Sequence, residues 1–246
     1  MDFNSSLTLL TPCLNPNLNQ FRKLFNSISN QKVFPDKWII IDGGSSEEIL
    51  SNISNQVRNI NHNLNVTILN RPGSSIYSAI NIGIKLCETK YYMVIGCDDF
   101  LINDSINYIK SNIEISDDIV VCSVIKSNNL CIAKKNRYKF ISFNGSTKII
   151  TNHSGGTIIK KLIHKEMGSY DERYIILADT KFIIDCYLKK YKFKYLKEIA
   201  SEIGVYGISK KQNRLAYLEL FRILEEFNFN RFINLLFLNL RLIIHR

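Results

Sequence analysis

Trp38-Ile39-Ile40-Ile41-Asp42 and Tyr91-Tyr92-Met93-Val94-Ile95-Gly96-Cys97-Asp98-Asp99 are apolar runs that each end in acid. A continuous apolar run of this length reads as a strand buried on both faces of a parallel sheet. Ligands of such sheets bind beyond the carboxyl ends of the strands, so both acidic ends are expected to face one crevice. Adjacent carboxylates repel unless positive charge lies near them, and a hard divalent cation that also holds a phosphate is the usual remedy. The two runs therefore predict metal-assisted chemistry on a phosphate-bearing donor.

Outward from these runs, strand-like segments alternate with helical patterns to about residue 125, the signature of β-α-β units in a mostly parallel sheet. Strands are expected at Leu7 to Thr11, Trp38 to Asp42, Leu64 to Leu69, Tyr91 to Gly96 and Ile119 to Val124. Leu18, Phe21, Leu24, Phe25 and Ile28 recur at helical spacing and make one apolar stripe. Directly after Gly43-Gly44, Ser45 and Glu48 have the spacing of a capping box, which puts Asp42 at a strand-to-helix turn. Residues 126 to 152 are polar and basic without clear periodicity and read as a connecting region of short strands or a loop. A helix is expected over Ala178 to Leu188, an edge strand over the alternating Phe193 to Ile199, and a last long helical segment from about Gln212 to the end. There is no internal repeat at a fixed period.

The 246 residues suffice for one α/β domain with a C-terminal elaboration, two small domains being the alternative. Hydrophobic content of 46% and charged content of 22% exclude a disordered chain and a polytopic membrane protein. The formal net charge of +10 attracts anions: nucleic acids, acidic headgroups or nucleotide-linked substrates. Basic residues cluster at 134–139, at 189–194 and through the C-terminal segment, with no arginine-rich arm or nucleic-acid motif, so nucleic acid is not an expected partner. The first strand leads into Thr11-Pro12-Cys13-Leu14-Asn15 and not a G-x-G-x-x-G turn, which disfavours a nicotinamide enzyme. Six scattered cysteines without a C-x-x-C pair fit a reducing compartment, and Met1-Asp2-Phe3-Asn4 is no basic leader, so cytoplasmic residence is expected.

An ordered set of segments resembles the family 2 glycosyltransferases, whose nucleotide-sugar-binding domain has the GT-A fold. They are Leu9-Leu10-Thr11-Pro12-Cys13-Leu14-Asn15, Ser27-Ile28-Ser29-Asn30-Gln31, Trp38 to Ser45, Ile76-Tyr77-Ser78-Ala79-Ile80-Asn81-Ile82-Gly83-Ile84, and Cys97-Asp98-Asp99 at the place of the family's DxD-type site. The resemblance implies an α/β domain over 1–209, with a nucleotide-binding half to about 125 and an acceptor-side half from about 126 to 209. Residues 210–246 then follow as basic amphipathic helices. It also implies transfer of a sugar from a nucleotide-diphosphate donor to a glycan or lipid-linked acceptor, with inversion, in cell-surface polysaccharide biosynthesis. By the same resemblance Thr11, Pro12, Asn15, Asp42, Asn81, Asp98 and His153 line the nucleotide sugar. Asp99, with Asp98, binds the Mn²⁺ or Mg²⁺ that bridges the diphosphate. Asp179, in Ala178-Asp179-Thr180-Lys181-Phe182, takes the place of the general base that removes the acceptor's proton. Val205-Tyr206-Gly207-Ile208-Ser209 resembles the family's closing Gly-Ile-Ser turn.

Two departures stand out. Relatives often read Asp-x-Gly-Ile-Tyr-Asp-Ala-Met-Asn where this chain has Gly73-Ser74-Ser75-Ile76-Tyr77-Ser78-Ala79-Ile80-Asn81, and Glu47 stands where Asp is common. The loss of two carboxylates beside the donor keeps open a catalytically silent nucleotide-binding or glycan-binding module on the same fold. From Leu215 to Ile244 the apolar residues are interrupted by Arg222, Arg231, Asn234, Asn239 and Arg241, too often for a bilayer span. Basic amphipathic helices of this kind lie on an anionic membrane, here the inner face of the plasma membrane, or cover the sheet or a homodimer partner.

Overall fold

The structure, a computed structural model, describes residues 5–58, 64–133, 153–204, 207, 212–227 and 231–244. The N-terminal part runs β1 (Leu7–Cys13), α1 (Leu18–Ser29), β2 (Lys37–Asp42), α2 (Glu47–Arg58), β3 (Val66–Asn70), α3 (Ile76–Leu86) and β4 (Tyr91–Val94). These four strands are parallel in the order β3-β2-β1-β4, which puts β1 inside and makes its neighbours the two acid-ended strands. Successive side chains point to opposite faces, and each face has its own core. Leu7, Leu9, Trp38 and Ile40 pack with Phe21, Leu24 and Ile28 of α1, while Leu10, Ile39 and Ile41 pack with Tyr77, Ile80 and Ile84 of α3. Trp38 stacks on Phe21 with ring centroids 6.3 Å apart, and its indole N–H donates to Thr11 Oγ1 at 3.0 Å.

The helix starts follow from local chemistry. Asn17 Oδ1 accepts from the backbone N–H groups of Asn19 and Gln20 and so caps α1. At α2 the cap lies one residue later than the capping-box spacing indicates: Ser46 Oγ accepts from Ile49, while Ser45 turns back to Asp42. Gly83 allows α3 to lie close on the sheet, where a Cβ would come within 3.0 Å of Leu10 and Ile41.

The second part is mostly antiparallel. It contains β5 (Phe100–Leu101), α4 (Ser105–Asn112), β6 (Ile119–Lys126), β7 (Asn129–Cys131), β8 (Thr157–Lys160), α5 (His164–Met167), α6 (Ala178–Leu188) and β9 (Phe193–Ile203). The sheet continues from β4 as β8-β6-β9-β5, with β7 on β6. β8 runs antiparallel to both β4 and β6 and joins the two halves. β9 is not simply the edge strand its alternation predicts, because β6 borders it on one side and β5 covers Ser201 and Glu202 on the other. A bulge opposite Ser123, whose Oγ donates to Lys197 O at 2.7 Å, redirects β9 so that its end returns to the end of β4.

The C-terminal segment, expected to be helical from about Gln212, forms two helices, α7 (Asn213–Glu226) and α8 (Arg231–Ile244). Among the described residues no helix is long and apolar enough to cross a membrane. α7 belongs to the core, where Ile223 and Leu224 join the cluster beneath α3 and α6. Its buried Glu219 accepts from three consecutive backbone N–H groups, Ile175 at 2.6 Å, Ile176 at 3.0 Å and Leu177 at 2.9 Å. These N–H groups lie just before α6 and are not paired by helix bonds, so a carboxylate there meets both their hydrogens and the helix dipole. Glu226 adds a 2.6 Å bond from Tyr174 and an ion pair with Lys181 at 3.6 Å.

Replacing Glu219 with alanine removes the acceptor of three backbone donors, that of Ile176 buried, and is expected to lower unfolding free energy by about 2–4 kcal/mol. Glu219→Gln, which keeps one acceptor oxygen, is expected to lose less. Denaturant titration of the three proteins measures the order.

Candidate active site

Asp42 is the last residue of β2, and Asp98 and Asp99 lie past the end of β4, so all three stand at the carboxyl ends of strands that flank β1. The parallel pairing thus brings the acids that follow the two apolar runs to the same end of the sheet. What the side chains touch is more specific than the runs reveal.

Asp99 is buried, its two oxygens accepting from Gly96 N at 2.8 Å and from Gly204 N at 2.8 Å. Gly96 follows β4 and Gly204 follows β9, so one carboxylate ties two distant strand ends together. A Cβ on Gly204 would collide with Asp98, and one on Gly155 would meet Ser201 Oγ and approach Asp99. Ser201 Oγ in turn donates to Gly155 O at 2.6 Å. Gly155 sits in the short 3₁₀ turn Ser154–Gly156, which begins after His153; the His153 carbonyl accepts from Gly156 N at 2.8 Å. Burial pushes the Asp99 carboxyl up to about 6, against the two backbone donors. Asp98, half-buried, lies in front of it.

Hard carboxylate oxygens at this place fit a divalent cation. Among the described residues no group of three or more His, Cys, Asp or Glu side chains could hold a metal. A cation bound through one or two carboxylates takes its remaining ligands from water and substrate phosphates, so the donor set suits an ion that arrives with its diphosphate.

On the other side of β1, Asp42 closes the β2–α2 turn. Its Oδ2 accepts from Gly44 N at 3.0 Å and Ser45 N at 2.9 Å, and its Oδ1 from Ser45 Oγ and Cys13 Sγ. Asn15, in the left-handed region at φ 43°, accepts from Ser46 N through its side chain and donates its N–H to Ser45 Oγ at 2.7 Å. The Pro12 carbonyl accepts from Cys97 Sγ at 3.1 Å, and the Thr11 hydroxyl is held by Trp38. These four residues form and brace the rim. Gly73 N donates to Gly43 O at 3.0 Å, carrying that rim across to the start of α3.

There Tyr77 links to the first turn of α6 and the loop before it. Its hydroxyl lies 2.6 Å from Ile176 O and 3.0 Å from Asp179 Oδ1. Asp179, half-buried in the first turn of α6, also accepts from Thr180 N at 2.7 Å. Burial raises the Asp179 carboxyl above its ordinary range, and the Tyr77 and Thr180 donors oppose the shift. The same burial raises Tyr77, which keeps its proton and remains a donor. Asn81, expected at the nucleotide, is engaged elsewhere: its oxygen accepts from Tyr170 N and its nitrogen donates to Tyr170 O and Glu172, clamping the segment that leads to Asp179.

Sequence reading did not single out Tyr77, Gly204 or Glu219. Tyr77 was visible inside the Ile76-Tyr77 segment, and Glu219 as an acid four residues before the buried Ile223 on one helix face. Gly204 carries no local signal. Of the closing turn at 205–209 only Gly207 lies inside the described residues, and the basic cluster 134–139 lies outside them.

No curated protein sequence matches the chain. Similar solved structures include TarS of S. aureus, with TM-score 0.66, 16% identity, 93% of this chain covered and 41% of that one. TarS 1-349 in complex with UDP has TM-score 0.62 and 16% identity, over 96% of this chain and 70% of that one. The mannosyltransferase PcManGT from Pyrobaculum calidifontis, in complex with GDP-Man and Mn²⁺, has TM-score 0.67 and 12% identity, over 90% of this chain and 63% of that one. The chain thus spans less than half the length of full TarS, and the likeness establishes the GT-A fold. The acid-ended strands β2 and β4 lie within residues 8–200, which match the model of Glycosyl transferase family 2, and the chain belongs to that family.

Proposed function

We propose that the chain transfers a sugar, with inversion, from a nucleoside diphosphate donor to a hydroxyl of a glycan or lipid-linked acceptor. The observation that carries this reading is the placement of Asp98-Asp99 past the carboxyl end of β4, with buried Asp99 and half-buried Asp179 both raised in pKa and Asp179 held by Tyr77 of α3. UDP and GDP-Man in the structural neighbours support a nucleotide sugar as donor.

Asp98 and Asp99 would hold Mn²⁺ or Mg²⁺, which neutralises the charge developing on the departing diphosphate. Gly204 leaves the space in which Asp98 faces the donor, and the Gly96 and Gly204 N–H groups fix Asp99 behind it. Thr11, Pro12, Asn15 and Asp42 shape the nucleotide side of the cleft, and His153 borders the diphosphate side. Asp179 takes the acceptor hydroxyl's proton as the acceptor oxygen bonds to the anomeric carbon and the bond to the diphosphate oxygen breaks. Its elevated pKa makes it a stronger base once ionised, and Tyr77 and Thr180 fix which oxygen faces the acceptor.

A membrane-peripheral enzyme of cell-surface polysaccharide synthesis, working from the cytoplasmic face, fits the C-terminus. α8 exposes Phe232 at 84% and Leu236 at 60% beside Arg231. The silent-module alternative draws on Gly73 and Ser78, where relatives carry acids; donor hydrolysis or transfer by the wild type eliminates it.

Asp179→Asn is expected to reduce kcat by about 10²–10⁴-fold with donor KM little changed, as removal of a general base does. Full activity in that variant would sink the assignment. Asp99→Asn is expected to abolish Mn²⁺-dependent nucleoside diphosphate binding in calorimetry. It also has a stability signature, because the Asp99 carboxyl titrates at about 6 when folded and near 3.8 otherwise. The folded chain therefore keeps the proton longer, so wild-type stability declines as pH rises from about 4 to about 6, and the asparagine variant lacks this component of the slope. Gly204→Ala is expected to displace Asp98 and weaken metal-dependent diphosphate binding while circular dichroism stays native.

A further inference from the structure

At the opposite end of β4 from the acids lies a cavity of about 450 Å³ that the transfer reaction does not use. Lys90 and Thr89 precede the first residue of β4, Lys85 comes from the last turn of α3, and Lys165 from α5. Ile84 and Leu162 supply apolar wall. The size is ordinary for a small-molecule site.

Its walls are already tied to one another. The His164 ring stacks on Phe182 at 4.5 Å, with Nε2 2.6 Å from the Tyr92 hydroxyl and Nδ1 2.7 Å from Gly168 O. Thr89 Oγ1 contacts Thr8 Oγ1 and donates to Tyr91 O, both at 2.7 Å. Lys161 Nζ donates to Cys87 O, and Lys160 Nζ donates to Ile115 O at 2.9 Å and pairs with Asp118 at 3.6 Å. The cavity is therefore preformed.

The capacity left over is cationic. Among the described residues Lys85, Lys90 and Lys165 have no carboxylate within 4.0 Å. The two acids nearest in sequence are directed elsewhere: Glu88 pairs with Lys37 at 3.2 Å and Glu166 accepts from Tyr191 at 2.6 Å. Like charges gathered around a concavity without counter-charge give it a positive potential. Ammonium groups act as compact point charges that suit phosphate, and three of them call for an anion carrying more than one charge.

We propose that this cavity is a second anion site, separate from the donor cleft, which binds a small soluble phosphate-bearing molecule with its organic body against Ile84 and Leu162. The site stands whether or not the transfer reading does, because none of the lysines touches the acidic rim.

The test is calorimetric titration of the full chain with glucose 6-phosphate and with inorganic pyrophosphate, in EDTA so that no cation bridges the probe to the acids. Both probes are expected to bind with a salt-dependent affinity. The triple variant Lys85→Gln/Lys90→Gln/Lys165→Gln, all on the surface and compatible with folding, is expected to weaken binding at least about tenfold. Asp98→Asn/Asp99→Asn is expected to leave it unchanged. No binding by wild type, equal binding by the triple variant, or loss only in the aspartate variant would overturn the proposal. Binding to phosphatidate vesicles without binding of either soluble probe would overturn it too, assigning the cavity to a lipid headgroup. Sugar transfer retained in the triple variant shows that a failure here is not a failure of the donor site.

Discussion

One buried carboxylate holds the two halves of the fold in register at the site. Asp99, after β4, accepts from Gly96 on its own strand end and from Gly204 after β9, which runs parallel to β6 in the mixed second part of the sheet. Burying an acid is unfavourable, and the raised pKa records that cost. The arrangement persists because each oxygen has a backbone donor, and those donors are reachable because residues 96, 155 and 204 lack side chains that would stand between. The joining of the sheet and the cation site proposed for Asp98 and Asp99 therefore rest on the same few atoms.

The loop ahead of α6 is built on the same principle, a buried carboxylate that accepts from backbone N–H groups. There the carboxylate of Glu219, carried by α7, fills a nest of three backbone N–H groups ahead of α6, and Asp179 is the second residue of that helix. Tyr77 ties the same loop to α3 through Ile176. The orientation of Asp179 is thus set by elements at 77, 176 and 219, far apart in the chain. The C-terminal segment serves the site through α7 and leaves its apolar surface to α8, so its amphipathic pattern divides between two different tasks. Charge is partitioned as well, acids gathered at the carboxyl end of β4 and unpaired lysines at its amino end.

Much of this was legible before any coordinates. The run at 38–42 reads as a strand buried on both faces and is one, and the run from 91 does so to Val94, two residues short of the expected Gly96, because an unbroken apolar run has no face left for water. The stripe of Phe21, Leu24 and Ile28 read as a helix for the same reason at a different period. β8 escaped notice: four residues, Thr157 to Lys160, are too few to display a period, and the strand exists because β4 and β6 supply its hydrogen bonds from both sides. The edge character of β9 was half right. It has a partner on its outer side only at Ser201 and Glu202, where β5 reaches it after the bulge.

The sequence by itself determined the parallel half of the sheet, the strand-end position of Asp42, Asp98 and Asp99, and the helix start that carries Asp179, since each depends on residues within one short window. Tertiary structure alone decided what those side chains touch. Asn15 braces the turn that follows Asp42, Asn81 clamps the Tyr170 segment, and Glu219 reaches across to the start of α6. Hydrogen-bond partners more than 80 residues apart leave no periodic trace in the chain; they exist only once packing has brought the two backbones together.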